Sequence, residues 1–255
     1  MSFQLWKTRR HWEAFARTDP LWAVLTEPDR RNNRWTIDEF FATGRRVVDN
    51  ELAHLREHYP ALRRQRALDF GCGVGRLTQA LANHFDTVTG ADISTAMLAL
   101  AREHNRQGAR VSYVHNTRPD LSIFPDASFD FVCSLITLQH IPPVHARTYI
   151  AEFLRVCAPG GAVLFQMPRR LPPRDPPERL QFSAWPPTLW MRVRRYVRYH
   201  FRLRFPGGPV MEMHAMAREE VLALLAAAGG ELVAEWPDEA TDPAIASYSY
   251  LVRKP

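Results

Sequence analysis

The segment Ala67–Thr78, reading ALDFGCGVGRLT, constrains this chain more than any other. An apolar run closes on the acid Asp69; Gly71, Gly73 and Gly75 then alternate through the bend, and Arg76-Leu77-Thr78 opens a helical pattern. Glycine has no Cβ, so such a bend can be sharp and a ligand can lie directly against its backbone. A second apolar run, Thr87–Ala91, closes on Asp92. Acids at the carboxyl ends of two successive strands, with a glycine bend at the first, describe a nucleoside-cofactor crevice in a doubly wound α/β sheet.

The spacing excludes two common cofactor loops. A dinucleotide fingerprint needs Gly-x-Gly-x-x-Gly/Ala, but the sixth place counted from Gly71 is Arg76 and from Gly73 is Thr78. A P-loop closes on Gly-Lys-Ser/Thr, and this chain has no lysine between Lys7 and Lys254. The pattern Asp69-x-Gly71-x-Gly73-x-Gly75 followed by Asp92 instead resembles the first two motifs of class I S-adenosylmethionine-dependent methyltransferases. Phe124–Ser134 and Leu138-Gln139-His140-Ile141-Pro142 resemble the fourth-strand motif of that superfamily, in the branch that modifies small molecules, lipids and sugars. Glu152–Phe165 resembles the helix, Pro-Gly-Gly turn and fifth strand that follow. The resemblance is close over 62–167 and loose over 214–253.

Residue patterning agrees with that architecture. Strands are expected at 66–70, 87–91, 110–114, 129–134 and 161–167, and helices at 75–84, 94–105 and 143–156, with Pro159-Gly160-Gly161 stopping the last helix before its strand. Such alternation favours a parallel sheet with helices on both faces. Helix 217–228 and strands 231–236 and 246–253 complete the chain. The resemblance implies a mostly parallel seven-stranded sheet whose last strand is antiparallel. Residues 1–61 read as a helical extension and lid, expected to cover the crevice with the insertion at 168–213, ahead of the domain at 62–255. Its Trp6, Trp12, Trp22 and Trp35 lie in short helical stretches broken at Asp19-Pro20 and Glu27-Pro28. Thr36 and Glu39 then form a capping box for a helix running to about Glu57 and ended by Tyr59-Pro60.

Residues 168–213 read as an insertion on the substrate side. Its proline-rich part, 168–187, cannot form a long regular element, and a short helix is expected over Thr188–Tyr196. Val197, Tyr199, Phe201, Leu203 and Phe205 alternate with Arg198, His200, Arg202 and Arg204, and 210–214 alternates again after Pro206-Gly207-Gly208-Pro209. Period two predicts a β-hairpin. The arginines of 192–204 have three readings, in order of preference: a solvated hairpin face, a lid offering cations to an anionic acceptor, or attraction to anionic membrane or nucleic acid.

The resemblance implies S-adenosylmethionine as cofactor and assigns residues to it. Asp69 faces its amino group. Gly71, Cys72, Gly73 and Gly75 admit it closely, and the loop amides with the following helix N-terminus meet its carboxylate. Asp92 accepts both ribose hydroxyls, as an ionised carboxylate has two acceptor oxygens and no donor. Ile93 and Met97 pack on the adenine. Asn116-Thr117 stands where the family usually has an acid that bonds the adenine amino group, a departure that leaves only an amide oxygen for the contact. Ser134 and Leu135 line the methionyl arm. His140 and His214 are the candidate general bases, since histidine titrates near neutrality; an ordering hydrogen bond is an equally good reading of His140 and a better one of His214. Asp130 is expected to support the sheet. No Asn/Asp-Pro-Pro-Tyr/Phe element is present, and Cys133 does not follow a proline, which argues against nucleobase amine or cytosine-C5 chemistry. His140, His145 and Glu152 lack ligand spacing, so no metal is expected.

Composition sets outer bounds. Hydrophobic residues make up 46% of 255, enough for a sizeable core. No apolar run reaches the roughly 20 residues of a membrane helix, Met1–Arg10 has no signal-peptide core, and three dispersed cysteines suit neither disulfides nor a thiolate metal site; a cytoplasmic protein is expected. The net charge of +6 invites a nucleic-acid reading. However, only Lys7 and Lys254 of the 33 basic residues are lysine, a bias better read as an arginine-decorated surface. Methyl transfer to a small or amphiphilic acceptor (a sugar, natural product or lipid) is therefore the leading expectation. An RNA- or protein-directed methyltransferase and a non-catalytic cofactor-binding module are the alternatives. Peripheral membrane contact is compatible with the composition, and the oligomeric state is not legible.

Overall fold

The computed structural model describes residues 2–171, 209–238 and 245–255. The expected helix 188–196, the first hairpin arm 197–205 and the arginines of 192–204 fall outside the described residues.

Seven strands form one sheet in the order β3-β2-β1-β4-β5-β7-β6. They are β1 (Arg66–Phe70), β2 (Thr87–Asp92), β3 (Val111–His115), β4 (Phe129–Ser134), β5 (Cys157–Arg170), β6 (Glu231–Pro237) and β7 (Ala246–Arg253). β1 to β5 are parallel, while β7 runs antiparallel between β5 and β6. The strand order reverses where β1 meets β4, and a crevice opens beyond the carboxyl ends of strands at such a switch point.

The helices are α1 (Phe3–Thr18), α2 (Pro20–Val24), α3 (Ile37–His58), α4 (Arg76–Leu81), α5 (Thr95–Glu103), α6 (Pro143–Val156) and α7 (Arg218–Ala227). Local chemistry sets their ends. The Ser2 hydroxyl accepts the Leu5 amide to start α1, and α1 gives way to Asp19-Pro20, where the ring disfavours helical backbone before it. Thr36 accepts the Glu39 amide at 3.3 Å as the expected cap of α3. Ser94 caps α5 through the Met97 amide.

The sheet is buried on both sides. On one face Leu68, Val132, Val163 and Phe165 pack with Tyr149 and Phe153 of α6 and Val221 and Leu225 of α7. On the other, Ala67, Phe131, Cys133 and Leu164 pack with Val48, Leu52 and Leu55 of α3 and Leu77 and Leu81 of α4. α3 and α4 touch at Gly44, where a Cβ would lie 2.4 Å from the Arg76 carbonyl oxygen. Asp130 supports the sheet as expected: its buried carboxylate accepts the Arg66 amide at 3.0 Å and faces the guanidinium groups of Arg63 and Arg66 at 3.9 Å.

Three local expectations are corrected. Pro159-Gly160-Gly161 does not precede β5 but lies within it, because the Gly160 amide pairs with the Lys254 carbonyl and extends the ladder back to Cys157. α4 is shorter than expected, since Gly75 (φ +83°) is left-handed and the chain turns away after Leu81. Residues 210–214 are not a strand. The amides of Val210, His214 and Met216 go to the His11 ring, the Gln139 carbonyl and the Pro168 carbonyl, three unrelated partners rather than one ladder.

Truncating a buried carboxylate that holds a backbone amide removes a charged hydrogen bond worth about 1.5–3 kcal/mol. Asp130→Ala is therefore expected to lower stability by about that amount in urea unfolding; a change under about 0.5 kcal/mol would show that Asp130 does not hold the sheet.

Candidate active site

A cavity of ≈ 910 Å³, counted to its open mouth, lies at the switch point. β1 and its bend contribute Asp69, Phe70, Gly71, Cys72, Gly73 and Arg76, while β2 contributes Ala91, Asp92 and Ile93. Asn116 comes from the end of β3, and Leu135, Ile136, Thr137, His140 and Ile141 from the loop after β4. Tyr149 reaches in from α6, and Leu5, Thr8, Trp12 and Val24 of α1 and α2 form the remaining wall.

The bend is held from within. The amides of Gly71 and Cys72 both donate to the Ala91 carbonyl, at 2.8 and 3.1 Å, and the Gly75 amide donates to Cys72. The Gly73 amide donates to the Asp92 carboxylate at 2.9 Å. Gly71 has φ +76°, and a Cβ there would lie 2.1 Å from the Thr137 side chain, so only glycine fits. These four amides are spent inside the protein. The expectation that they meet a ligand carboxylate is corrected accordingly, and α4, six residues long, makes a short helix terminus.

Asp69 and Arg76 are buried and Asp92 is half-buried. Asp69 accepts the Thr78 hydroxyl at 2.6 Å, and burial pushes its carboxyl up to about 6 despite that bond and the nearby Arg76. Asp92 accepts Gly73 and Ser94 amides, one on each oxygen, and burial raises its pKa as well. Arg76 is buried and lowered to about 10 by desolvation. It donates to the Thr43 hydroxyl at 3.3 Å, while its Nε–H meets no acceptor among the described residues. Burial also raises the Cys72 thiol, which stays protonated at neutral pH.

His140 is buried against the edge of Trp12, with ring centroids 5.4 Å apart. Its Nδ1 pairs with the Glu212 carbonyl at 2.8 Å, so that nitrogen carries the proton and Nε2 is the acceptor facing the Gln139 amide at 3.2 Å. Desolvation lowers its pKa to about 4, leaving the ring neutral. The His214 amide donates to the Gln139 carbonyl, which ties 209–217 to this loop, but the His214 side chain does not line the cavity.

Other expected site residues are placed differently. Met97 is buried among Phe15, Trp22 and Phe40, away from the lining, because α5 turns it toward the helical extension. Ser134 donates to the Phe70 carbonyl between strands and is likewise absent from the lining. Gly75 lies against Tyr113 and Thr117 lies beside Asn116; neither lines the cavity. Asn116 does, but its amide oxygen accepts the Arg118 amide and its nitrogen donates to the Asp120 carbonyl. The sequence reading missed Arg76 and Thr137, and it named no site residue on α1 although it expected the N-terminal helices to cover the crevice. Leu5, Thr8 and Trp12 do share one helical face at spacings of three and four, the one local signal that marked them. Among the described residues one group has metal-ligand proximity, His54, Glu57 and His58 on the exposed end of α3, and none of the three lines the cavity.

The sheet order and the bend define a class I methyltransferase-type α/β fold. Residues 67–161 match the family described as "Methyltransferase domain", over the stretch whose motifs resemble those of class I S-adenosylmethionine-dependent methyltransferases. It is 38% identical over 109 residues to a ubiquinone biosynthesis O-methyltransferase of Pseudomonas syringae pv. tomato, covering 42% of this chain and 46% of the relative. To the Klebsiella pneumoniae protein of that name it is 30% identical over 132 residues, covering 51% and 54%. The chain thus spans about half the length of these relatives. Among solved structures, magnesium protoporphyrin IX methyltransferase from Synechocystis with bound SAH has a TM-score of 0.64 at 17% identity, covering 99% of this chain and 100% of that one. The N-methyltransferase NodS from Bradyrhizobium japonicum has a TM-score of 0.60 at 16% identity, covering 98% and 99%.

The buried acid supplies a stability test. Asp69 binds its proton up to about pH 6 in the fold but only to about pH 3.9 when unfolded. The folded state therefore holds the extra proton between those values, and stability falls as pH rises from about 4 to 6, by about 3 kcal/mol for a fully buried group. Glu51, pushed up to about 7 by burial and by Asp238, extends the decline. Asp69→Asn keeps an acceptor for Thr78 and removes the charge, so it is expected to raise the melting temperature at pH 7.5 and flatten the decline below pH 6. A lower melting temperature at pH 7.5 would contradict the buried-charge account.

Proposed function

We propose that this protein transfers a methyl group from S-adenosylmethionine to a small or amphiphilic acceptor by in-line displacement. The observation that carries the reading is the charge set of the cavity: a buried and a half-buried carboxylate and one buried guanidinium with an N–H that meets no acceptor among the described residues, at a bend that only glycine can make. A cofactor with an ammonium, a carboxylate and a ribose diol complements that set group for group. Arg76, the one guanidinium among the described lining residues, is assigned to the carboxylate in place of the loop amides. Asp69 is assigned to the ammonium, whose charge would offset the cost of ionising it. Each Asp92 oxygen already accepts one amide and keeps a second lone pair for a ribose hydroxyl. Ile93, beside Asp92, offers an apolar surface for the base.

Once bound, the cofactor supplies an electrophilic methyl carried on a sulfonium. The protein's part is alignment and exclusion of water, and positioning of this kind can lower a barrier by roughly 7–11 kcal/mol. General-base help adds roughly 10²–10⁴ in rate. His140 fits the wall better than the base, because both ring nitrogens are engaged and its pKa near 4 makes it a weak proton acceptor. The apolar wall of Leu5, Trp12, Ile141 and Tyr149 suits an acceptor with a hydrophobic body. The ubiquinone-biosynthesis relatives, by name, act on an oxygen, which makes a lipid-like hydroxyl our preferred acceptor. A cytoplasmic protein remains our expectation, and no helix among the described residues is long and apolar enough to cross a membrane.

Calorimetric titration is expected to give saturable heat with S-adenosylmethionine and none with NAD; uptake of NAD alone would end this reading. Asp92→Ala should weaken cofactor binding about a hundredfold, the equivalent of one strong or two ordinary charged hydrogen bonds. For His140→Gln, kcat should fall less than for Gly73→Val, and the pH profile of kcat/KM should show no inflection between 6 and 7 that the His140 variant removes. Such an inflection would return the histidine to the role of base.

A further inference from the structure

Helix α1 has two working faces. Leu5, Thr8 and Trp12 face the cavity, while Phe3 and Trp6 point outward, 76% and 40% exposed, with rings stacked 5.6 Å apart. The one other exposed large apolar side chain among the described residues is Val144, 54% exposed at the start of α6. Its neighbour His145 meets the Ser2 hydroxyl at 2.7 Å, which brings the start of α6 beside the start of α1, where Phe3 and Trp6 stand. Singly scattered apolar residues are normal on a surface, whereas a grouped set marks a contact.

The surroundings of the patch are cationic. Residues 3–18 carry Lys7, Arg9, Arg10 and Arg17 against the single acid Glu13. The Arg10 guanidinium lies 4.7 Å over the Trp6 ring. Of the nearby acids, Glu13 accepts the Thr95 amide and hydroxyl and lies 3.9 Å from both Arg9 and Arg17, Glu212 pairs with Lys7, and Glu220 with Arg147, which leaves basic residues in excess on α1. Exposed aromatic rings within a cationic helix face match the interfacial zone of an anionic bilayer, where tryptophan sits at headgroup depth and arginines meet phosphates.

We propose that the face formed by Phe3, Trp6 and Val144, with Arg9 and Arg10 beside them, docks on an anionic phospholipid surface. Docking there sets the helix that walls the cavity against the membrane, so an amphiphilic acceptor can reach the cavity without leaving its lipid. The docking stands independently of methyl transfer, because a cofactor titration reads the one and vesicle binding reads the other.

The test is co-sedimentation of the full chain with vesicles of phosphatidylcholine alone, and of phosphatidylcholine with phosphatidylglycerol at three to one. Binding is expected only to the anionic vesicles and should fall with added salt. The double variant Phe3→Ser, Trp6→Ser should lower partitioning at least tenfold, and each of Arg9→Gln and Arg10→Gln about fivefold. All these variants should keep the wild-type melting temperature and cofactor heat, since none of the residues lines the cavity. If the aromatic pair proves to be needed for folding, Val144→Ser and the arginine variants carry the test. No binding to anionic vesicles overturns the proposal. So does binding undiminished by every one of these variants, which would place the contact elsewhere, or light scattering that shows a dimer dissolved by Phe3→Ser, Trp6→Ser.

Discussion

The Ala91 carbonyl, receiving the amides of Gly71 and Cys72, is the junction on which the rest of the structure depends. It ties the end of β2 to the bend after β1, and the Gly73 amide repeats the tie through Asp92. With the bend closed on itself, Asp69, Arg76 and Asp92 are brought to one cavity wall. The left-handed glycines are what allow the turn to be this tight; Thr137 fills the space where any side chain at 71 would have to go.

That arrangement costs stability. Asp69 and Asp92 are both harder to ionise than in water, and Arg76 is harder to keep charged. Buried ionisable groups cluster where a protein binds or reacts, and a core built only for stability would have replaced them with apolar residues. The cost is explained if a zwitterionic cofactor completes the charge set, which is why the electrostatics and the proposed chemistry stand together. His140 lies on the other side of this balance. It is neutral, doubly hydrogen-bonded and packed on Trp12, so it orders the loop after β4 and carries the segment at 209–217 through Glu212.

The helical extension is part of the site rather than an appendage to it. α1 reaches the cavity with one face, pairs with α6 through Ser2 and His145, and meets α5 through Glu13 and Thr95. Fold alone does not set the reaction; here α1 and the loop after β4 build much of the cavity wall.

Much of the frame was legible from residue order. Strands 129–134 and 246–253 and helix 143–156 fall where patterning put them. Their apolar residues repeat at the period of the element, and their ends carry turn residues that act locally. The bend at 71–75 and the acids 69 and 92 were legible because glycine and strand-end chemistry are short-range. What lay beyond the sequence were contacts between distant residues. Met97 and Ser134 read as ligand contacts and became packing and strand-to-strand bonding; 210–214 read as a strand, but its amides found partners up to 199 residues away. Periodicity states which side of an element is apolar, and the tertiary structure alone decides what that side meets. The sequence determined a glycine-bent, acid-tipped parallel sheet; only the packed molecule decided that Arg76 and Trp12 would close on it.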